Sequence, residues 1–493
     1  MMIQLANPHR PRRMLTRLIA TTFALSLPLA SYAQTSQPAS ADATLAAKLE
    51  TLQRRIEALE AAKKQVADQS NQTGAERDQL ARKVTILTDE VARLRESLVV
   101  PESDVLKSKF GMGPAASKIY GAKTGISLGG YGEFFFDAKV ADKVAGKDYN
   151  FGDLFRYIQY VGYKFTDRLL FNAEVEFEHA TTGDENYAGK SGEVAVEFAY
   201  LEYLFNRQIN LRGGLLLMPI GFVNEIHEPP FFHGNLRPQV ETVIIPSTWR
   251  ELGVGLHGEL ADGLNYKLYL VNGLNAEKFS PSGWRDGRQH GGRAITESVA
   301  GVLRLDYAYR DNLQIGASIF YGGADHSLIK NPDSPTEDLS VNTLLIEGHL
   351  QLRYKGIEFR SLGAYAHLSN ARKLTSALFP DSSDPSKPET SLLASRMYGF
   401  YVEAAYDIWP LLCNKPLYLA PYIRFENYDS QAKVPTTLAG RSADTARDVT
   451  VFEAGLTFKP HRQVVLKFNY RRNSNQKGSQ LADSLYWGAG FVY

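Results

Sequence analysis

The chain has 493 residues, with 55 Lys and Arg against 54 Asp and Glu and a formal net charge of +1. That balance lacks the basic face a nucleic-acid binder needs. Its one cysteine, Cys413, excludes an intramolecular disulfide and a cysteine-based zinc site. The length exceeds that of most one-domain soluble folds, so more than one structural unit is expected. Apolar residues make up 44%, too many for a disordered chain. No run approaches the ~20 apolar residues of a membrane-spanning helix. A membrane barrel stays open, because its strands alternate and average to a mild hydropathy. The 26 Tyr, 25 Phe and 40 Gly suit many short strands and turns.

Residues 1–33 read as an export signal. Arg10, Arg12, Arg13 and Arg17 make a basic start, Leu18 to Ala30 an apolar run, and Ser31-Tyr32-Ala33 a small-residue cleavage site. Residues 34–98 then hold a coiled coil. Its apolar positions recur in steps of three and four at Leu45, Leu49, Leu52, Ile56 and Leu59, and again at Leu80, Val84, Leu87, Val91, Leu94 and Leu98. The seam positions between them are Lys63, Val66, Ser70, Thr73 and Arg77, largely polar, and Gly74 weakens the helix there. Such a rod would be about 80 Å long and needs partner chains to bury its seam. Ile and Val at one seam position with Leu at the other mildly favour a dimer. Residues 99–120 are expected to be a linker, with Pro101, Gly111, Gly113, Pro114 and the following Gly121 interrupting any helix.

From 121 to 493 the chain reads as sixteen strands. They begin near Ile126, Phe155, Leu169, Val194, Ile209, Glu251, Leu264, Val299, Leu313, Val341, Ile357, Met397, Leu417, Val449, Val464 and Leu485. Tight turns such as Thr166-Asp167-Arg168 and Ala261-Asp262-Gly263 follow the even strands, and long polar loops follow the odd ones. That sorting predicts an all-β, 16-stranded antiparallel transmembrane barrel, with turns at one end and loops at the other. Strand three places Phe171, Val175 and Phe177 on one face and Glu174, Glu176 and Glu178 on the other; strand fifteen opposes Leu466 and Phe468 to Lys467 and Arg471. Leu485, Trp487, Ala489, Phe491 and the final Tyr493 share one face of the last strand. That aromatic ending is similar to the assembly signal of outer-membrane barrels.

The opening Leu128-Gly129-Gly130-Tyr131-Gly132-Glu133, the run Glu174-Val175-Glu176-Phe177-Glu178-His179 and the segment Ile244-Ile245-Pro246-Ser247-Thr248-Trp249-Arg250 resemble Gram-negative outer-membrane porins, most closely the phosphate-selective porin O/P-like family. The resemblance implies a trimer in the outer membrane of a Gram-negative bacterium. It also implies that the coiled coil stands in the periplasm, as on some porins of this kind. The arginine ladder behind that family's phosphate selectivity is missing, and acidic groups outnumber basic ones by four over residues 121–493. Phosphate specificity is therefore not carried over.

Residues 218–249, after strand five, occupy the usual place of a loop that folds inward and narrows a pore. Glu225, His227, Glu228 and Arg237 are its candidate constriction residues, stiffened by Pro229-Pro230 with Phe231-Phe232 as a wedge. Glu225, His227, Glu228 and His233 match no standard metal spacing, so no metal and no cofactor is expected. Glu174, Glu176, Glu178, Arg304, Arg360, Arg424, Lys467 and Arg471 are expected to line the pore, with Arg304–Asp306, Arg360–Glu358 and Arg424–Glu426 as mixed pairs. The acidic strand three and the basic strand fifteen, four steps apart around the circle, would set up a transverse field; the alternative is that these charges pair with neighbours. No Gly-x-Ser-x-Gly, His-Glu-x-x-His or phosphate-loop motif marks an enzyme. The expected function is passive diffusion of small hydrophilic solutes, anions among them. The expected partners are outer-membrane lipid, further copies of the chain, those solutes and, through the coiled coil, the cell wall. Two alternatives stay open: a siderophore- or dicarboxylate-specific uptake channel, and a coiled-coil tether anchored by a barrel. No plug domain is expected ahead of the barrel, which disfavours energised, plug-gated import.

Overall fold

The computed structural model describes residues 81–86, 107–122, 124–141, 150–180, 182, 192–310, 312–379, 392–413, 416–435, 442–478 and 482–493. The chain divides into two compact units, Met1–Leu98 and Val99–Tyr493. In the first, residues 81–86 are helical, and Thr85 Oγ1 donates back to the Ala81 carbonyl at 3.0 Å. The leader expected over 1–33 and the rest of the rod expected over 34–98 lie outside the described residues.

The second unit is a closed antiparallel barrel. Its wall runs through β1 (Gly125–Ala141), β2 (Phe151–Lys164), β3 (Leu169–Glu178), β4 (Val194–Leu204), β5 (Asn210–Leu217), β6 (Arg250–Ala261), β7 (Leu264–Asn272), β8 (Val299–Tyr309) and β9 (Leu313–Gly323). A small separate hairpin follows, β10 (Lys330–Asn331) with β11 (Ser334–Asp338). The wall resumes with β12 (Asn342–Tyr354), β13 (Ile357–Leu368), β14 (Arg396–Tyr406), β15 (Tyr418–Lys433), β16 (Asp448–His461), β17 (Val464–Asn475) and β18 (Asp483–Val492). These are the sixteen expected wall strands, each paired with its neighbour, and β18 returns to β1 with Tyr131 opposite Val492. No start is further from its expected place than that of β2, at Phe151 rather than Phe155.

The strands form here because side chains alternate between two different surroundings. On β17, Leu466 and Phe468 are exposed while Lys467, Asn469 and Arg471 are buried. On β15, Ile423 and Phe425 face out while Tyr422, Arg424 and Glu426 are buried within. The usual soluble arrangement is thus inverted: large apolar residues cover the outside and charges fill the inside. On the outer face, Trp487 of β18 stacks on Phe136 of β1, with ring centroids 5.5 Å apart. Tyr493 continues that pairing, exchanging both backbone hydrogen bonds with Gly130.

One expectation fails. Residues 107–122 are no bare linker; they enter the barrel at its tight-turn end. Met112, Ala115, Ala116 and Ile119 are buried there, and Asn172 of β3 donates to the Ala116 carbonyl at 3.1 Å. Gly111, Gly113 and Pro114 do prevent a long helix, but the four apolar residues between and after them supply a face that hydrophobic burial docks against the wall. The barrel is therefore preceded by a short segment of chain lodged in its own mouth.

Candidate functional site

The long connection between β5 and β6, residues 218–249, folds into the barrel and touches much of its wall. Its two stems are tied by Asn224, which donates to the Met218 carbonyl at 2.7 Å and the Trp249 carbonyl at 2.9 Å and accepts the Trp249 N–H at 2.7 Å. Glu241 accepts the N–H groups of Phe222 and Val223, each at 2.8 Å, and the Tyr401 hydroxyl at 2.6 Å. Burial of this carboxyl raises its pKa. Pro229-Pro230-Phe231 form a 3-10 turn. It lies so close to β18 that a Cβ on Gly490 would stand 2.4 Å from Pro229 Cβ, so only glycine fits under the turn. The loop between β7 and β8 straps the construction from the other end. Arg288 Nη1 donates to the carbonyls of Pro246, Ser247 and Thr248, and Arg285 donates to that of Ser247. Burial, with Arg285 beside it, lowers Arg288 to about 9.

The candidate constriction residues each meet a different part of the wall. Glu225 binds Lys267 of β7. His227 faces the Asn224 carbonyl through Nδ1 at 3.2 Å and Glu174 of β3 through Nε2 at 3.4 Å. Burial, reinforced by Arg237, drops its pKa to about 3, so the imidazole is neutral. Glu228 accepts the Ala115 N–H of the lodged segment at 2.9 Å, and burial raises it to about 8. His233 bonds Thr457 of β16 at 2.8 Å and stacks on Tyr422. These four side chains diverge, so they do not converge on one metal. Arg237 is buried, yet its Nε and Nη2 have no hydrogen-bond partner among the described residues. Burial, then the nearby Arg156, lowers its pKa.

The expected pore-lining residues point inward but are not equally available. Arg424 bonds Glu403 at 3.1 Å, Glu426 at 3.0 Å and Glu453 at 2.9 Å, and reaches the His233 carbonyl at 3.3 Å. Arg471 joins the same network through Glu453 at 2.6 Å. Arg304 grips Asp306 with two bonds at 2.6 and 3.0 Å. Arg360 does not pair with Glu358. It donates to the Phe231 carbonyl at 3.1 Å, while Glu358 accepts from Tyr418 at 2.8 Å and faces Arg353 at 3.7 Å. The cause is the inward loop, which offers Arg360 a fixed carbonyl. Lys467 lies over the Phe232 ring, 3.6 Å from its centroid. Across the lumen, Glu176 faces Arg156 at 3.5 Å, and Glu178, at the end of β3, is only half-buried. The acidic face of β3 is thus opposed by Arg156 and Arg237, and the basic face of β17 by Glu453, which weakens a simple transverse field.

Several residues that organise this site carried no sequence signal: Arg156, Glu197, Asn224, Tyr401 and Glu453. Each depends on a partner far along the chain. Arg250 was noted only as part of a motif, yet it pairs with Glu197 at 2.6 Å. Below the loop, toward the tight turns, a cavity of about 640 Å³ is lined by Lys107, Phe110, Lys267, Arg304, Arg353 and Arg360 among others. A neighbouring cavity of about 260 Å³ shares Phe231, Gln351, Arg353 and Arg360 with it.

These features define a class of protein, a sixteen-strand barrel whose polar lumen is narrowed by an inward loop. No protein-family model matches the chain, so the phosphate-selective resemblance rests on its sequence motifs alone. An uncharacterized protein of Aquifex aeolicus (strain VF5) is 40% identical over 385 residues, 77% of this chain and 82% of that one. The chain belongs to the family of that Aquifex protein. Among solved structures, it is similar to OmpF of Salmonella typhi in complex with daunomycin (TM-score 0.49, 15% identity, 75% of this chain and 97% of that one). It is also similar to an anion-selective porin from Comamonas acidovorans (0.47, 10%, 75% and 99%) and to the outer membrane channel DcaP of Acinetobacter baumannii (0.45, 12%, 75% and 97%). None of these scores reaches 0.5, and the barrel assignment stands on the strand pairing itself.

Proposed function

We propose that the chain is an outer-membrane channel through which small hydrophilic solutes diffuse passively. The observation that carries this reading is the inversion of the barrel: apolar side chains outside, charged side chains and an inward loop inside. Arg237, on the inward loop, supports the anion preference of this reading, because its Nε and Nη2 have no hydrogen-bond partner among the described residues. Such donors favour anions over cations of equal size. The leader over 1–33 delivers the chain across the inner membrane, Trp487, Phe491 and Tyr493 direct barrel assembly, and the heptads over 34–98 form a periplasmic stalk on a trimer. Liposome swelling tests the reading. Purified protein should speed swelling in small sugars, amino acids, dicarboxylates and phosphate, with rates falling as solute size grows. Vesicles no leakier than protein-free ones would remove the channel assignment.

A further inference from the structure

The segment at 107–122 is held by contacts that a mere connector does not need. Ala115 N–H is accepted by Glu228 of the inward loop, and the Ala116 carbonyl by Asn172 of β3. The Tyr120 hydroxyl donates to Glu202 of β4 at 2.6 Å and accepts from Arg212 of β5 at 3.0 Å. Lys164 of β2 donates to the Ala122 carbonyl at 2.9 Å. Phe110 packs its ring against His257 of β6, centroids 5.0 Å apart. Five consecutive wall strands, β2 to β6, thus grip one short stretch of chain, and its apolar face lies against them. Gly111 and Gly113 let it pass the loop: Gly111 takes φ +77°, and a Cβ on Gly113 would stand 2.4 Å from Glu228 Oε1.

The effect on the tight-turn mouth is one-sided. On the β3–β6 side, inward residues one or two positions from the turns (Glu202, Asn210 and Arg212) are essentially dry, as is His257. On the β12–β13 side, the Arg353 side chain is 53% exposed and Glu358 27%. The segment accounts for part of that contrast, because Glu202, Arg212 and His257 each touch it directly. We propose that residues 107–122 are a built-in plug that occludes the β2–β6 side of this mouth and leaves its seat when the channel opens fully. Solutes then pass through the 640 Å³ cavity alone while the plug is seated, and through the whole mouth once it is gone. This rests on the channel reading above and adds a gate to it.

A disulfide tests it on the full chain. A Cβ on Gly162 of β2 would lie 3.2 Å from Ile119 Cβ, close to the ~3.5–4.5 Å that a disulfide spans. Ile119→Cys with Gly162→Cys, in a Cys413→Ser background, therefore locks the plug when oxidised and frees it when reduced. In planar bilayers the reduced channel should step to a level about twofold or more above its resting conductance, a gain set by the wider mouth. The oxidised channel should stay at the resting level. A variant lacking residues 107–122 should remain at the high level. Identical traces in the two redox states would overturn the plug while leaving the channel reading intact. No current in either state, from barrels whose gel mobility shows them folded, would overturn the channel reading itself. A cysteine pair that does not oxidise in the folded protein would show that the segment is not seated as described, and that too would end the proposal.

Discussion

Two sectors of the lumen wall carry comparable charge and treat it in opposite ways. Along β14–β17, Arg424, Arg471, Glu403, Glu426 and Glu453 form one buried network in which the arginines bridge the carboxylates. Along β2–β6, Arg156, Glu174, Glu176, Glu197 and Arg250 sit around Arg237; Arg156 faces Glu133 and Glu176 and Arg250 pairs with Glu197, yet each of the six retains at least one buried polar atom without a hydrogen-bond partner among the described residues. A buried polar group left unpaired costs free energy. A saturated network therefore holds its strands together, whereas one with unpaired atoms gains free energy from any water or solute that reaches it. On the channel reading, we propose that the first sector holds the inward loop and the second meets a permeating molecule.

The strongest way to break the first sector is Arg424→Ala. It strips Glu403 and Glu426 of their bonded cation, leaves Glu453 with Arg471 alone, and takes a donor from two loop carbonyls. Removing one partner from a buried ionic network costs about 3–5 kcal/mol. Urea unfolding in detergent should show that loss, and single-channel records should become noisier as the loop frees. Unchanged stability would mean that the network does not anchor the loop. Gly490→Val attacks the same loop from β18, where Pro229 leaves no room for a side chain. Overpacking of this kind costs about 1–3 kcal/mol. The loop should shift and conductance change, whereas wild-type conductance would place Pro229 elsewhere.

Glu228 sharpens the comparison through pH. Its folded pKa stands at about 8 against an ordinary value of 4.5, so the folded protein holds a proton that the unfolded chain releases. Its contribution to stability is full below about 4.5, declines as pH rises, and is gone above about 8. Glu228→Gln should flatten that part of the stability–pH profile, measured by urea midpoints between pH 4 and 9. A slope that survives the substitution assigns it to other groups. The smallest effect on stability is expected from Arg237→Gln, which removes unsatisfied donors and should change the unfolding free energy by no more than about 1 kcal/mol. Reversal potentials in a salt gradient should nonetheless move toward cations. Glu174→Gln with Glu176→Gln should move them toward anions, and unchanged potentials in both variants would deny this sector a role in selection.

The alternation of apolar and charged residues is local, which is why the strands of β3, β15, β17 and β18 could be read with their facing correct. Side chains two apart on a strand share a face, so Arg304–Asp306 and Arg424–Glu426 were legible as pairs. Arg360 followed the same rule in sequence but broke it in space, because Phe231, over a hundred residues earlier, supplied a better-placed acceptor. The turn-breaking residues around Gly111 and Pro114 were read correctly as ending helices. The small apolar positions Met112, Ala115, Ala116 and Ile119 were the signal of burial that went unused.

The sequence by itself determined which stretches form the wall and, where apolar and charged residues alternate cleanly, which way they face, since a two-residue period needs no information from distant chain. Only the tertiary structure decided which charges are spent on one another and which stay available. Closing the barrel brings β18 to β1 and lays the 218–249 loop and the 107–122 segment against strands far away in sequence. Pairing across such distances depends on where backbones come to rest, and no local pattern of residues encodes it.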